Sequence, residues 1–149
     1  LVLQTSAEYE EKFEERNLTE IQHLPKEKAL VYIDGRRTWR ILANLYNNAA
    51  KYAMTGSRIY TDLKVTEGAV IFSIKNISEQ PLNINADQLT ERFIRGDISR
   101  STEGSGLGLS IAQTLTEMQK GKFELYLDGD LFKATVTFPK VQEEQSTQI

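Results

Sequence analysis

The stretch Thr102-Glu-Gly-Ser-Gly-Leu-Gly-Leu-Ser-Ile-Ala112 sets three glycines at alternate positions and runs without a break into an apolar helical pattern ending near Gln119. Glycine has no Cβ, so Gly104, Gly106 and Gly108 allow the backbone to approach an anion closely. The helix predicted to begin near Leu107 aims its free N–H groups and the positive end of its dipole at the same place. A fold that uses this segment must therefore present the start of a helix and leave room in front of it. Taken alone, the pattern suits either a phosphate-binding helix start or an ordinary glycine-rich turn.

A second segment bears on that choice. Asp34-Gly-Arg-Arg-Thr-Trp-Arg-Ile-Leu-Ala-Asn-Leu-Tyr-Asn-Asn-Ala-Ala-Lys-Tyr-Ala53 has helical periodicity, with Asp34 or Gly35 placed to start the helix. At about 100° per residue, Trp39, Leu42, Leu45, Tyr46, Ala49, Tyr52 and Ala53 fall on one broad arc, the predicted core face. Asn44, Asn48 and Lys51 stack along its border. Asparagine is a mediocre helix former, so repeated amides there need a reason beyond propensity. An amide oxygen is a hard ligand suited to Mg²⁺, and a lysine one turn on can neutralise phosphate. In isolation the same residues also fit a solvated border to a buried stripe.

Together the two segments resemble a known family. Asn44-Leu-Tyr-Asn-Asn-Ala-Ala-Lys-Tyr52 is similar to the N-box of sensor histidine kinases, and Gly104-Ser-Gly-Leu-Gly-Leu-Ser-Ile-Ala112 to their second glycine box. Between them, Glu91-Arg-Phe-Ile-Arg-Gly-Asp-Ile-Ser-Arg100 resembles the F-box that opens the family's lid over the nucleotide. The motifs stand in the family's order, and the resemblance covers about Lys28 to Pro139.

One motif departs from the family. An Asp-x-Gly-x-Gly box is expected after a strand, and here the strand-like Val70-Ile-Phe-Ser-Ile-Lys75 runs into Asn76-Ile-Ser-Glu-Gln-Pro-Leu82. Family spacing back from Phe93 puts Asn76 at the Asp position, with Ser78 and Gln80 where glycines belong. The Asn76 carbonyl can still accept from an exocyclic amine. A neutral bond in place of a charge-assisted one weakens adenine recognition by about 1 kcal/mol.

Composition fits one ordinary domain: 149 residues, 40% apolar and 26% charged, with a net charge of −3. That balance gives no general attraction to nucleic acid, so phosphate binding has to be local. The absence of cysteine excludes disulfide, thiolate and zinc-finger chemistry. No apolar run approaches a membrane span, no signal-peptide layout is present, and the first residue is not Met, as expected of an excised piece of a longer protein. The chain reads as an opening helix over roughly Leu3 to Arg16, short strands near Thr19 to Leu24 and Ala29 to Ile33, and then the N-box helix closed by Gly56. A hairpin follows from Arg58-Ile-Tyr-Thr-Asp-Leu-Lys64 to Ala69-Val-Ile-Phe-Ser-Ile-Lys75, then a polar lid over 77–104 and the glycine-box helix. A second hairpin turns at Asp128-Gly-Asp130, and Gln142 to Ile149 forms a solvated tail. These elements predict an α+β fold, a two-layer sandwich with helices on one face of a mixed sheet. The resemblance implies the same layout, the Bergerat-type ATP-binding fold of the GHKL superfamily.

The resemblance further implies phosphoryl transfer from ATP–Mg²⁺ to a histidine. By it, Asn48 holds the metal, and Asn44 and Lys51 contact phosphate. Asn76 meets the adenine, with Tyr52 either beside the nucleotide or filling the core. The backbone of Gly104, Ser105, Gly106, Leu107, Gly108 and Leu109 closes over the phosphates, and Arg95 or Arg100 reaches the γ-phosphate. Lys51 and Arg100 are the candidate phosphate stabilisers, and no catalytic residue proper is assigned. His23, the only histidine, sits in a strand-like segment before Pro25 and is not the expected phosphoacceptor. Trp39 and Phe93 are expected as packing anchors. The implied organisation is residues 1–16 as the remnant of a dimerisation and phosphoacceptor helix, 17–140 as the ATP-binding domain, and 141–149 as the tail. The implied partners are that helical domain and a cognate response regulator. The isolated domain is expected to be monomeric, and the full protein a homodimer with this part on the cytoplasmic side of a membrane-bound sensor. The alternative is a degenerate docking or regulatory domain of the same fold that binds nucleotide weakly or not at all.

Overall fold

In the computed structural model, which describes residues 1–26, 33–82 and 105–140, the first helix α1 (Val2–Glu15) turns sharply into an edge strand β1 (Thr19–His23). The turn is a Schellman cap. Asn17 takes the left-handed conformation at φ 54, and Leu18 N–H donates to Phe13 O at 2.8 Å. Leu18 itself is buried, adding the apolar contact that accompanies such caps.

Helix α2 (Gly35–Tyr52) starts on an N-cap, Asp34, whose carboxylate accepts from Arg37 N–H at 3.0 Å. Its buried face is Thr38, Ile41, Leu42, Leu45, Tyr46, Asn48, Ala49 and Ala50. This differs from the predicted arc at Trp39, which stays about a third exposed and donates through Nε1 to Glu8 Oε2 of α1 at 2.9 Å. A helix packed between the sheet and two other helices buries more than one stripe, and Ile41 takes the core position instead. Gly56 does not cap α2 as expected. The helix already ends at Tyr52, Ala53 leaves in an extended conformation to bridge Ser78, and Gly56 at φ +83 serves the turn that follows.

Strands β2 (Arg58–Val65) and β3 (Ala69–Ile77) form the predicted hairpin, with β3 two residues longer than the expected Ala69 to Lys75 run. Helix α3 (Ser105–Met118) and the hairpin β4 (Lys122–Asp128) and β5 (Leu131–Pro139) complete the described fold. Gly129 at φ +59 fills the first central position of that hairpin's tight turn, where a side chain would be strained. The sheet order is β1-β2-β3-β5-β4, with β1 parallel to β2 and every other pair antiparallel.

One face of the sheet carries Ile59, Phe72, Ile74, Phe132, Ala134 and Val136 into a single core shared with Phe13, Leu45, Tyr46, Leu109 and Ala112 of the helices. Alternation of period two produces that face, since successive strand side chains point to opposite sides. The result is the predicted α+β sandwich. The expected strand at Ala29 to Ile33 lies largely outside the described residues and Ile33 carries no strand, while Phe93, Arg95, Arg100, Gly104 and the tail lie outside them altogether.

Candidate nucleotide site

Helices α2 and α3 run antiparallel, and two contacts fix their register. At one end, Gln119 Oε1 accepts from Asp34 N–H at 2.6 Å. At the other, a Cβ added to Gly108 would stand 3.7 Å from Asn44 Oδ1. The first turn of α3 therefore extends past Asn44 toward Asn48, one helical turn further along α2.

Helix α3 begins at Ser105, two residues before the start expected near Leu107. Gly106 is thus part of the first turn of the helix, as Gly108 was expected to be, and not of a loop ahead of it. The consequence favours anion binding, because the N–H groups of the first turn, those of residues 105–107, have no intrahelical acceptor. The side chain of Leu109 is buried in the core, so only its backbone is available to a ligand.

Asn44 Nδ2 is buried and has no hydrogen-bond partner, the one such side-chain atom among the described residues. An amide donor left this way costs about 1–3 kcal/mol, so its retention calls for an acceptor from outside the described residues. Asn48 is buried as well. Its amide oxygen is the kind of hard donor that Mg²⁺ accepts alongside substrate phosphates. Lys51 is exposed on the next turn and Tyr52 is half-buried.

The other wall comes from the exit of β3. Asn76 alternates with Phe72 and Ile74 on the helix-facing side of the sheet, yet it is polar and only 4% exposed. It pairs with Ile59 on one side and Phe132 on the other. A polar residue at a position where the pattern asks for an aliphatic one marks a place where the core gives way to something polar. Three backbone links tie this exit to the end of α2: Met54 N–H to Ile77 O at 2.8 Å, Glu79 N–H to Tyr52 O at 2.9 Å, and the Ala53–Ser78 bridge. Neither Ser78 nor Gln80 adopts a positive φ. The glycines expected there are not required by this backbone, which bends at Glu79 and Gln80 without a positive φ and fastens Ser78 N–H to Asp130 O at 2.7 Å.

The structure thus brings Asn44, Asn48, Gly108 and the start of α3 together, and it joins Tyr52 and Asn76 through the end of α2. His23 stands apart on the edge strand, exposed and hydrogen-bonded to Asp62 at 2.8 Å. Arg16 and Glu79, which meet beside this site, were not legible as a pair, being 63 residues apart.

A family model described as histidine kinase-, DNA gyrase B- and HSP90-like ATPase matches residues 33–146. The chain belongs to that family. Among curated relatives, it is 36% identical over 108 residues to the histidine protein kinase SaeS of Staphylococcus aureus, covering 68% of this chain and 30% of that protein. It is 26% identical over 137 residues to the sensor histidine kinase WalK of Bacillus subtilis, covering 88% of this chain and 22% of WalK. The chain spans about a quarter of the length of these relatives. Its backbone resembles the nucleotide-free catalytic domain of histidine kinase ThkA, with a TM-score of 0.79 at 24% identity over 93% of this chain and 90% of that one. It also resembles full-length ShkA in complex with AMPPNP, with a TM-score of 0.75 at 19% identity over 94% of this chain and 30% of that one. Within the family, the chain is an ATP-binding catalytic domain of the sensor histidine kinase type.

Proposed function

We propose that this domain binds ATP with Mg²⁺ between α2, the start of α3 and the exit of β3, and delivers the γ-phosphoryl group to a histidine on a separate helical domain. From there the phosphoryl group passes to a response regulator. The buried, unpartnered Asn44 Nδ2 beside Gly108 carries the reading, because a phosphate oxygen is the acceptor that position lacks. Phosphoryl transfer needs positioning and charge neutralisation more than covalent help from the protein. Bound Mg²⁺ supplies neutralisation at the phosphate oxygens. Asn48 would hold it through its amide oxygen, Asn44 would donate to phosphate, and Lys51 would add a cation on the open side. The free amides of residues 105–107 would orient the phosphates, with Gly104, Arg95 and Arg100 completing the enclosure. Asn76 would accept from the adenine amino group, and Tyr52 would border the base.

Helix α1 packs on α2 through Phe13 and Tyr9. We place it as the final part of the helix that leads from the phosphoacceptor hairpin, with 17–140 as the ATP-binding unit and 141–149 as a tail. The complete protein on this reading is a dimeric sensor anchored in a membrane, with the present domain in the cytoplasm. None of the described helices is long and apolar enough to cross a membrane.

Calorimetric titration of ATP, first with Mg²⁺ and then with a chelator, tests the proposal. Metal-dependent binding in the micromolar to low-millimolar range is the expected result. No binding at millimolar ATP would leave a docking or regulatory domain and contradict the reading.

A further inference from the structure

Arg16 sits at the C-cap of α1, outside every motif that marks the nucleotide site, yet it touches three segments at once. Its Nη1 donates to Ala50 O at 2.6 Å. Its Nη2 donates to Thr55 Oγ1 at 3.2 Å and to Glu79 Oε2 at 2.8 Å. Its own carbonyl accepts from Gly56 N–H at 3.0 Å. Thr55 Oγ1 in turn donates to Glu79 Oε1 at 3.3 Å. One guanidinium thus joins the end of α1, the last turn of α2 and the segment leaving β3.

We propose that Arg16 is a positioning residue for the adenine side of the nucleotide site, an inference that rests on the ATP reading above. The carbonyl end of α2 carries partial negative charge, and Ala50 O belongs to that end. The Glu79 carboxylate lies beside the same end, because Glu79 N–H is bonded to Tyr52 O at 2.9 Å. The cation between these two negative groups offsets their repulsion, which the backbone links alone would have to bear. A planar fork with several donors can serve the carbonyl and the carboxylate at once, which a lysine ammonium on a flexible stem does less well. Removing the cation leaves Glu79 against the helix end and pushes the β3 exit away. That exit carries Asn76, and the helix end carries Lys51 and Tyr52. Nucleotide affinity therefore depends on the Arg16 brace at the end of α1, although α1 contributes no group to the ligand.

The Arg16 side chain is 23% exposed and that of Glu79 47%, so both can be changed without opening the core. The test is calorimetric affinity for ATP–Mg²⁺ at a temperature where each variant is folded by circular dichroism. Arg16→Gln is expected to weaken binding by about three- to tenfold, the scale of one or two hydrogen bonds. Adding Glu79→Gln to that variant removes the repulsion and recovers at least half of the loss on a logarithmic scale. Glu79→Lys, which sets a second cation against Arg16, weakens binding on its own and serves if Arg16→Gln does not fold. Phe13→Leu, which loosens α1 without touching the brace, lowers thermal stability and leaves affinity unchanged.

The proposal is overturned if Arg16→Gln binds like the parent, if the double variant binds no better than the single one, or if affinity simply follows stability through Phe13→Leu. If the parent itself fails to bind ATP, the ATP reading falls and the brace is judged by amide exchange. Arg16→Gln should then speed exchange at Met54, Ser78 and Glu79, and unchanged protection there would reject the brace.

Discussion

Helix α2 has two polar seams, and they are finished differently. Toward α1 and the edge of the sheet, Glu20 Oε2 accepts from Tyr46 Oη and from Thr61 Oγ1 at 2.7 Å each and from Gln22 Nε2 at 3.1 Å, while Oε1 accepts from Ser6 Oγ at 2.6 Å. Trp39 and Lys12 add further pairs along the same seam. Toward α3, a buried amide donor has no partner and the facing position is a glycine. The first seam is closed and belongs to stability. The second is left open among the described residues, and on the proposed function a ligand completes it. Polar groups buried in one helix therefore serve opposite ends, and only a count of their partners tells them apart.

The largest expected effect falls on the closed seam. Phe13 is buried and stacks on Tyr46 with ring centroids 5.9 Å apart. Phe13→Ala should cost about 3–5 kcal/mol in chemical denaturation, while ATP affinity in the folded fraction stays within the parent's range. A matching loss of affinity would mean that the two seams are not separable.

On the open seam, Asn48→Ala should abolish the difference between ATP titrations with Mg²⁺ and with chelator, at a cost in metal-dependent binding of about 2 kcal/mol. Circular dichroism should report an unchanged fold. Persistence of the metal effect would place the cation elsewhere.

Tyr46 sharpens the contrast through pH. Burial, and then its hydrogen bond to Glu20, raises its phenol pKa far above the ordinary value. The folded state therefore keeps the proton that the unfolded chain releases above about pH 10. The stability this supplies is complete below that pH and is lost above it, by about 1.4 kcal/mol per pH unit. Tyr46→Phe should cost about 1–2 kcal/mol at neutral pH. It should also flatten the alkaline decline by one proton's worth, measured as urea midpoints from about pH 8 to about pH 11, a range that spans the phenol's ordinary value. Parallel declines in the two proteins would show that Tyr46 ionises in place.

The smallest effect is at Gly108. A Cβ there meets only ordinary contacts, so Gly108→Ala should keep the fold and gain about 0.5–1 kcal/mol from helix propensity. ATP affinity should fall by about threefold if the methyl group crowds a phosphate at Asn44. Equal affinity would mean that phosphate passes further from α3 than proposed.

Much of this was readable in the sequence because the motifs carry local physics. The glycine run marked the start of α3, the Asn44–Asn48–Lys51 spacing marked one stripe of α2, and period-two alternation marked both hairpins. Trp39 was misplaced because helical periodicity assumes one buried face, whereas α2 is covered from three directions. Gly56 was misread because a glycine after a helix suggests a cap, yet here the pairing of Ala53 with Ser78 pulls the chain out of the helix first. The Glu20 and Arg16 networks join residues far apart in sequence, and no local pattern announces a carboxylate shared by Ser6, Tyr46 and Thr61. The early start of α3 was hidden because the glycine at 106 reads as loop, while its amide belongs to the helix end.

Asn44→Leu tests the distinction between the seams most directly, with stability and ATP affinity measured on the same sample. Leucine matches the shape of asparagine and removes the unpartnered donor, so the ligand-free domain should become more stable by about 1 kcal/mol. The same variant should lose ATP binding by at least about tenfold. A domain that is destabilised, or that binds ATP as the parent does, would show that Asn44 belongs to the closed framework and that the site lies elsewhere.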